Sequence, residues 1–242
     1  MGAPDVAPAA EVFSAATVAT AVIACGALSA PIREIAARRG WDLEVHALPP
    51  LLHNRPRAIA PSAEALARRL QAEGRRVVLA YADCGSYGAL DDLCARLSIR
   101  RLGGLHCYDV YAGAERMEEL FSEDAGTYVL TDFLVRSFRR TVLRELGLDR
   151  RPELWGDFFG NYHRVVWLAQ HPSAPLESEA REVASMFGLP LTILDVGVAG
   201  LERELECLLG EQSAPLPLSV PVAPGTAGAL PRGDRGPGCA AG

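Results

Sequence analysis

Short apolar runs alternate with amphipathic stretches over most of this chain, and this alternation restricts its fold more than any other feature. The apolar runs are typical of buried strands, and the stretches between them have helical periodicity; clear strand examples are TVATAVIAC, RVVLAYAD and RVVWLAQ. Repeated strand-helix units predict the α/β class. We expect a doubly wound, Rossmann-like, mostly parallel sheet of about seven strands with helices on both faces.

The alternation runs through one continuous region, which predicts a single α/β domain over residues 17–210. The chain has 242 residues, of which 49% are hydrophobic, so one domain of this size can bury a sizeable core. The flanking segments, 1–16 and 211–242, are rich in Pro, Gly and Ala and lack periodicity. We expect both segments to be disordered.

Composition excludes several functional classes. The formal net charge is -6 and the basic residues form no stripe, which argues against a nucleic-acid partner. All 24 basic residues are Arg, so neither a lysine Schiff base nor a phosphate-loop lysine is available. No apolar run reaches the roughly 18 residues of a membrane span, and no basic flank marks a secretory signal. We therefore expect a cytoplasmic protein with no membrane partner.

Two of the six cysteines lie at predicted strand ends, each directly before a glycine. Cys25 ends the first strand in IACGA, and Cys84 follows the third in YADCGSYG. A thiol at the carboxyl end of a strand, close to a helix N-terminus, has a lowered pKa. With a strand order of 2-1-3-4, the first and third strands are neighbours, which predicts that Cys25 and Cys84 face one cleft.

Two further turns at the same sheet edge add soft or imidazole ligands. The turn LGGLHCYDVYAG carries His106 and Cys107, and the turn LLHNRP carries His53. Cys25, Cys84, His106 and Cys107 are the predicted metal ligands, and any three of these side chains or His53 would suffice for catalytic zinc. An iron-sulfur cluster fits less well because compact CxxC spacings are absent.

Polar neighbours complete the predicted site. Asp83 and His53 are candidate catalytic acid-base groups, although Asp83 could instead cap a helix. Asn54, Arg55 and Tyr108 are candidate substrate-binding residues. The alternatives are a turn stabilised by its own hydrogen bonds for Asn54 and Arg55, and simple core packing for Tyr108. A small-molecule substrate follows from this interpretation.

Several motifs, taken together and in order, resemble the domain of unknown function 1638 family. They span about residues 20 to 205 and are IACGA, LPPLLHNRP, YADCGSYGALD, GLHCYDVYAG, GTYVLTDFLVRSF, LGLDRRPEL and GNYHRVVWLAQ. The resemblance implies no reaction, but such proteins are encoded beside corrinoid-dependent methyltransferases. It therefore implies a corrinoid protein or methyltransferase as a partner. Many relatives have Gly-Thr-Gly where this chain has Gly85-Ser86-Tyr87-Gly88.

Three functions remain open at this point. The first is a zinc enzyme that activates a thiol or another nucleophile for methyl or related group transfer. The second is a non-catalytic protein that handles a metal or cofactor for a corrinoid methyltransferase. The third is a metal-free enzyme with Cys84 or Cys25 as nucleophile and His53 or His106 as base.

Overall fold

The computed structural model describes residues 19–210, in which seven strands alternate with helices. All strand pairs are parallel, as expected when helices connect successive strands. This confirms the α/β class and the number of strands. The two terminal segments predicted to be disordered, 1–16 and 211–242, lie outside the described residues.

The strands divide between two sheets rather than forming one continuous sheet. The first sheet has the order β2-β1-β3-β4 and contains β1 (Thr20–Cys25), β2 (Leu43–Leu48), β3 (Arg76–Ala80) and β4 (Arg100–Arg101). This order confirms that the first and third strands are neighbours. The second sheet has the order β5-β6-β7 and contains β5 (Thr127–Thr131), β6 (Arg164–Ala169) and β7 (Leu191–Asp195).

Helices surround both sheets. In chain order they are α1 (Ser29–Arg39), α2 (Ile59–Ala72), α3 (Ala89–Leu97), α4 (Asp109–Ala112), α5 (Ala114–Glu123), α6 (Asp132–Phe138), α7 (Trp155–Phe159), α8 (Ala174–Phe187) and α9 (Ala199–Gly210). A π-helical segment, Arg139–Leu143, continues α6. Among residues 19–210, no helix is long and apolar enough to cross a membrane.

The last helix joins the two halves of the chain. It follows the second sheet in sequence, yet its apolar side chains Leu201, Leu205 and Leu208 pack into the core of the first sheet. Gly200 permits this close approach, because a Cβ atom there would lie 2.4 Å from the carbonyl oxygen of Tyr111. The return of α9 places a helix of the second half directly behind α4, next to the turn that carries His106 and Cys107.

Candidate metal centre

Cys25 and His53 meet at the carboxyl edge of the first sheet. Cys25 is fully buried at the end of β1, and its Sγ atom lies 3.0 Å from Nε2 of His53. His53 belongs to the 3-10 turn Pro50–Asn54, which follows β2. Gly26 allows this turn to approach β1, since a Cβ atom there would lie 2.7 Å from both Leu48 O and Pro50 Cδ. A glycine is therefore required directly after Cys25 for steric reasons, and the close approach that it permits also positions His53.

Cys84 has an unusual backbone conformation. Its φ angle is 50°, in the left-handed region that non-glycine residues rarely adopt, and Gly85 follows with φ of 80°. Asp83 stabilises this turn by accepting hydrogen bonds from Ser86 Oγ at 2.7 Å, Gly88 N at 3.0 Å and Tyr87 N at 3.1 Å. Strained residues of this kind are concentrated at functional sites. Asp83 thus has a structural task, and its predicted acid-base role remains a prediction.

Cys107 comes from the turn that follows β4. This turn is joined to the turn of Cys84 by a hydrogen bond from the Cys84 amide to the Leu105 carbonyl oxygen, 2.8 Å long. Asp109 fixes the turn from within, because its Oδ2 atom accepts hydrogen bonds from Leu105 N at 2.7 Å and His106 N at 3.0 Å. Sequence reasoning missed Asp109, although an acidic residue at the first position of a helix is a recognisable capping signal.

Three predicted residues form a compact cluster of possible ligands. One ligand atom each of His53, Cys84 and Cys107 lies within 4.8 Å of the others. Tetrahedral zinc with bonds of about 2.0–2.3 Å separates its ligands by about 3.5–3.8 Å, so small side-chain adjustments would complete a site. Of the remaining predicted ligands, Cys25 contacts the cluster only through His53, and His106 is exposed at its rim.

A small cleft opens directly onto this cluster. Its volume is about 180 Å³, and it is lined by His53, Cys84, Gly85, His106, Cys107 and Tyr108. The ring of His106 stacks on that of Tyr108, with centroids 6.0 Å apart. Asn54 and Arg55 are exposed on the turn after His53 and do not line the cleft among the described residues. The structure therefore places Tyr108, but not Asn54 or Arg55, at the cleft.

The pKa values of Cys84 and Cys107 shift in opposite directions. The Cys107 thiol donates a hydrogen bond that stabilises the Cys84 thiolate, so the pKa of Cys84 lies below its usual value. For the same reason, and because of burial, the pKa of Cys107 is raised. Cys107 therefore favours the thiolate form of Cys84 over that of its own thiol. Thiolates are the form in which cysteine binds metals and attacks electrophiles.

Cys25 and His53, by contrast, are both electrically neutral groups. Burial raises the pKa of Cys25 to about 11, and burial together with the nearby His106 lowers the pKa of His53. The contact between them is therefore a thiol-imidazole hydrogen bond and not a thiolate-imidazolium pair. A neutral imidazole is the form that binds metals, so this contact suits the orientation of a ligand.

Tyr81 lies beneath the cluster with an unsatisfied hydroxyl. The residue is fully buried, its ring stacks on His53 with centroids 6.0 Å apart, and its hydroxyl has no hydrogen-bond partner among the described residues. Burial and the neighbouring Cys25 raise the pKa of Tyr81 well above its usual range. Tyr87, by contrast, is 94% exposed on the turn of Cys84.

The fold and the site define an α/β protein with two parallel sheets and a His-Cys cluster at the carboxyl edge of one of them. The chain belongs to the family described as "Protein of unknown function (DUF1638)", whose model matches residues 47–205. This confirms the resemblance seen in the motifs. The matched region includes His53, Cys84 and Cys107 and begins after Cys25. A search of curated proteins and a search of solved structures each found no significant match.

Proposed function

We propose that this protein is a zinc enzyme for thiol or methyl-group transfer, with the metal bound by His53, Cys84 and Cys107. The observation that carries the proposal is the convergence of these three ligand atoms within 4.8 Å at a cleft. Three protein ligands and a fourth position that faces a cleft are typical of catalytic zinc, whereas structural zinc has four protein ligands.

The donor set favours zinc over other metals. Two cysteines and one histidine are soft or borderline ligands, which zinc accepts in tetrahedral geometry, while magnesium and calcium prefer oxygen. Cys107 lowers the pKa of Cys84, which favours the thiolate that a metal would bind. The 3.0 Å contact from Cys25 to Nε2 of His53 would orient the imidazole and leave Nδ1 as the ring nitrogen available to a metal.

The volume of the cleft, about 180 Å³, favours a small substrate. A thiol or a similar nucleophile on that substrate would suit activation by zinc. A thiol bound at the fourth coordination position would have a lowered pKa, because zinc lowers the pKa of a bound thiol as it does that of bound water. The thiol would release its proton to solvent or to His106, which lines the cleft. Its sulfur would then bond to the transferred methyl carbon, while the methyl donor keeps the electron pair of the broken bond. A methylated corrinoid protein as the donor is suggested only by the family resemblance.

The first experiment measures metal content by elemental mass spectrometry on protein purified without a histidine tag. We expect about one zinc per chain in the wild type and in Cys94→Ser, which alters a core cysteine outside the cluster. We expect loss of zinc in Cys84→Ser and in Cys107→Ser. Cys25→Ser should retain zinc with lower affinity, because it removes only the contact that orients His53. A metal-free wild type, or full zinc in Cys84→Ser, would contradict the proposal.

A second experiment tests whether the bound metal has an open fourth coordination position. Cobalt substituted for zinc gives visible absorption bands that respond to its ligands, and a small thiol such as 2-mercaptoethanol serves as the probe. A new thiolate-to-cobalt band on addition of the thiol supports an enzyme. Unchanged bands would indicate a site with four ligands already in place, and the transfer reaction would then have no substrate position.

One observation favours the second candidate, a non-catalytic protein that handles a metal for a partner. Tyr87 and Leu105 are 94% and 68% exposed, and they lie on the two turns that carry Cys84 and Cys107. Exposed apolar side chains beside a shallow site suit a partner protein. Rates of zinc transfer to a chelator separate the two candidates, because a handling protein releases its metal quickly and an enzyme retains it.

The third candidate is a metal-free enzyme with a cysteine nucleophile. For Cys25, the distance to His53 supports this function, but the raised pKa of its thiol opposes it. The 3.0 Å distance between Cys25 and His53 is that of a nucleophile-base pair. However, Cys25 is fully buried, and its pKa of about 11 keeps it a thiol. Resistance of Cys25 to iodoacetamide in the folded metal-free protein would exclude it as the attacking group.

A further inference from the structure

The sequence suggests that the basic residues are spread over the helices, but in the structure four exposed arginines form a basic stripe along α6 and its π-helical continuation. They are spaced at i, i+3, i+4 and i+8, and they are Arg136, Arg139, Arg140 and Arg144. Within residues 19–210, none of the four has a carboxylate within ion-pair distance. Exposed arginines elsewhere in the protein, such as Arg68 and Arg181, do pair with glutamates on their own helices. Among residues 19–210, the guanidinium groups of the basic stripe are therefore not engaged in ion pairs.

An acidic stripe with the same spacing lies on α5. Its members are Glu115, Glu118, Glu119 and Glu123, and all are exposed. Only Glu123 forms an ion pair in the described part of the chain, with Arg164 at 3.3 Å, and its side chain remains 67% exposed. Arg116 is the single basic residue of α5. Two helices thus carry opposite charges at matched intervals.

The two stripes cannot pair within one chain. The α6 helix packs Val135 and Phe138 onto one face of the second sheet, whereas α5 packs Met117 onto the other face. The inward side chains of β6 show the same division, since Trp167 contacts the α6 side and Val166 the α5 side. Because each helix buries its apolar face against the sheet, the charged stripes point outward in opposite directions.

We propose that the basic stripe of one molecule binds the acidic stripe of a second copy of this chain. Because the stripes lie on opposite sides of the molecule, the contact is head-to-tail, and it extends into a ring or an open chain. A nucleic acid is the poorer occupant of the basic stripe, because the chain as a whole carries a net charge of -6. The acidic stripe of a second copy supplies one carboxylate for each guanidinium.

The association is expected to be weak and sensitive to salt. A single exposed ion pair stabilises by about 0.2–1 kcal/mol, and four pairs in one network mainly fix the register and speed up encounter. At an ionic strength of about 0.1 M, charges more than about 10 Å apart are screened. Raising NaCl from about 50 to about 300 mM should therefore weaken the association about tenfold or more.

Sedimentation equilibrium at about 50 mM NaCl tests the proposal with charge-reversed variants of the full chain. One variant is R136E/R139E/R140E and another is E115R/E118R/E119R. Each variant reverses three of the four charges of one stripe, so both of its stripes carry mainly the same sign and each variant alone should be monomeric. Their equimolar mixture should recover the mass distribution of the wild type, because every basic stripe again meets an acidic one. The control E153R/E179R reverses two exposed glutamates outside both stripes and should self-associate like the wild type.

Two outcomes would overturn the proposal. One is a wild type that is monomeric over the whole concentration range at low salt. The other is self-association that survives either reversal or is not restored by mixing. Thermal unfolding by circular dichroism identifies a reversal that damages the fold, and restoration on mixing cannot arise from misfolded chains. Binding of the wild type to a DNA duplex, lost in R136E/R139E/R140E, would instead assign the basic stripe to nucleic acid.

Discussion

Aspartates at the carboxyl edges of both sheets accept hydrogen bonds from nearby groups, but the edge of the first sheet also contains a buried hydroxyl without a partner among the described residues. At the edge of the second sheet, buried Asp132 accepts from Trp167 Nε1 at 2.9 Å, Gln170 N at 3.0 Å and His171 N at 2.8 Å. At the edge of the first sheet, the Tyr81 hydroxyl is unpaired among the described residues, and Cys84 has a left-handed backbone. Two parallel sheets thus end differently: the polar groups around Asp132 satisfy one another, whereas those around Cys84 leave a hydroxyl unpaired among the described residues.

This difference shows how a candidate functional site can be distinguished from buried polar groups that only stabilise the fold. Buried polar groups are normally satisfied, so a satisfied carboxylate such as Asp132 needs no ligand to explain it. An unsatisfied hydroxyl, a strained cysteine and two thiols at a cleft are instead the features on which we base the proposal of a metal site at the first edge.

Loss of the Asp132 carboxylate should destabilise the fold strongly. Asp132→Ala leaves three N–H donors without an acceptor, two of them buried, which should reduce the free energy of unfolding by about 3 kcal/mol or more. Asp132→Asn keeps one acceptor oxygen and should cost less. Urea unfolding measures both, and zinc content of the folded protein should not change. A loss below about 1 kcal/mol in Asp132→Ala would mean that the second edge is not held together by this carboxylate.

The thiols of Cys84 and Cys94 should differ in reactivity by more than about a hundredfold at pH 8 in metal-free protein. The two residues are similarly buried, at 8% and 9% exposure. Hydrogen bonds from Cys107 lower the pKa of Cys84 below 9.0, so its thiolate persists as the pH falls. Burial raises the pKa of Cys94 to about 11, so its thiolate disappears at a higher pH.

Alkylation by iodoacetamide across a pH series, followed by peptide mass spectrometry, measures this difference. Cys107→Ala removes the thiol hydrogen bond and should move the pH profile of Cys84 upward. Equal rates at the two cysteines would show that Cys107 does not stabilise a thiolate at Cys84.

Gly26→Ala should disturb the first edge through a steric clash. The new methyl group would meet Leu48 O and Pro50 Cδ at 2.7 Å and push the turn of His53 away from β1. We expect a loss of about 1–3 kcal/mol in stability together with weaker zinc binding. Gly156→Ala is the matched control, because a Cβ atom there meets nothing within 4 Å. Zinc affinity equal to that of the wild type would show that the approach of the turn does not position His53.

Tyr81→Phe should have the smallest effect on stability and the opposite sign to Asp132→Ala. It removes a buried hydroxyl that has no partner, so the free energy of unfolding should stay the same or rise by up to about 1 kcal/mol. Urea unfolding of metal-free protein measures it. Destabilisation by more than about 1 kcal/mol would mean that the hydroxyl is satisfied, and the contrast between the two edges would then be weaker.

Much of the fold could be predicted from local patterns. The seven strands, the parallel arrangement and the adjacency of β1 and β3 follow from apolar periodicity and from the rules for strand-helix units. The division into two sheets could not be read in this way, because each strand has the same apolar signature whichever sheet it joins. The return of α9 to the first core is also a long-range packing event that local sequence does not encode.

For the site, the sequence by itself determined which turns carry chemistry, since residues that follow parallel strands must lie at the carboxyl edge. Cys84, Cys107 and His53 were all identified in this way. Only the tertiary structure decided their roles: it buried Cys25 behind His53, exposed His106 at the rim and engaged Asp83 and Asp109 in their own turns. The physical reason is that a turn fixes which side chain is near the edge, while distances of a few ångströms between turns depend on packing such as that at Gly26.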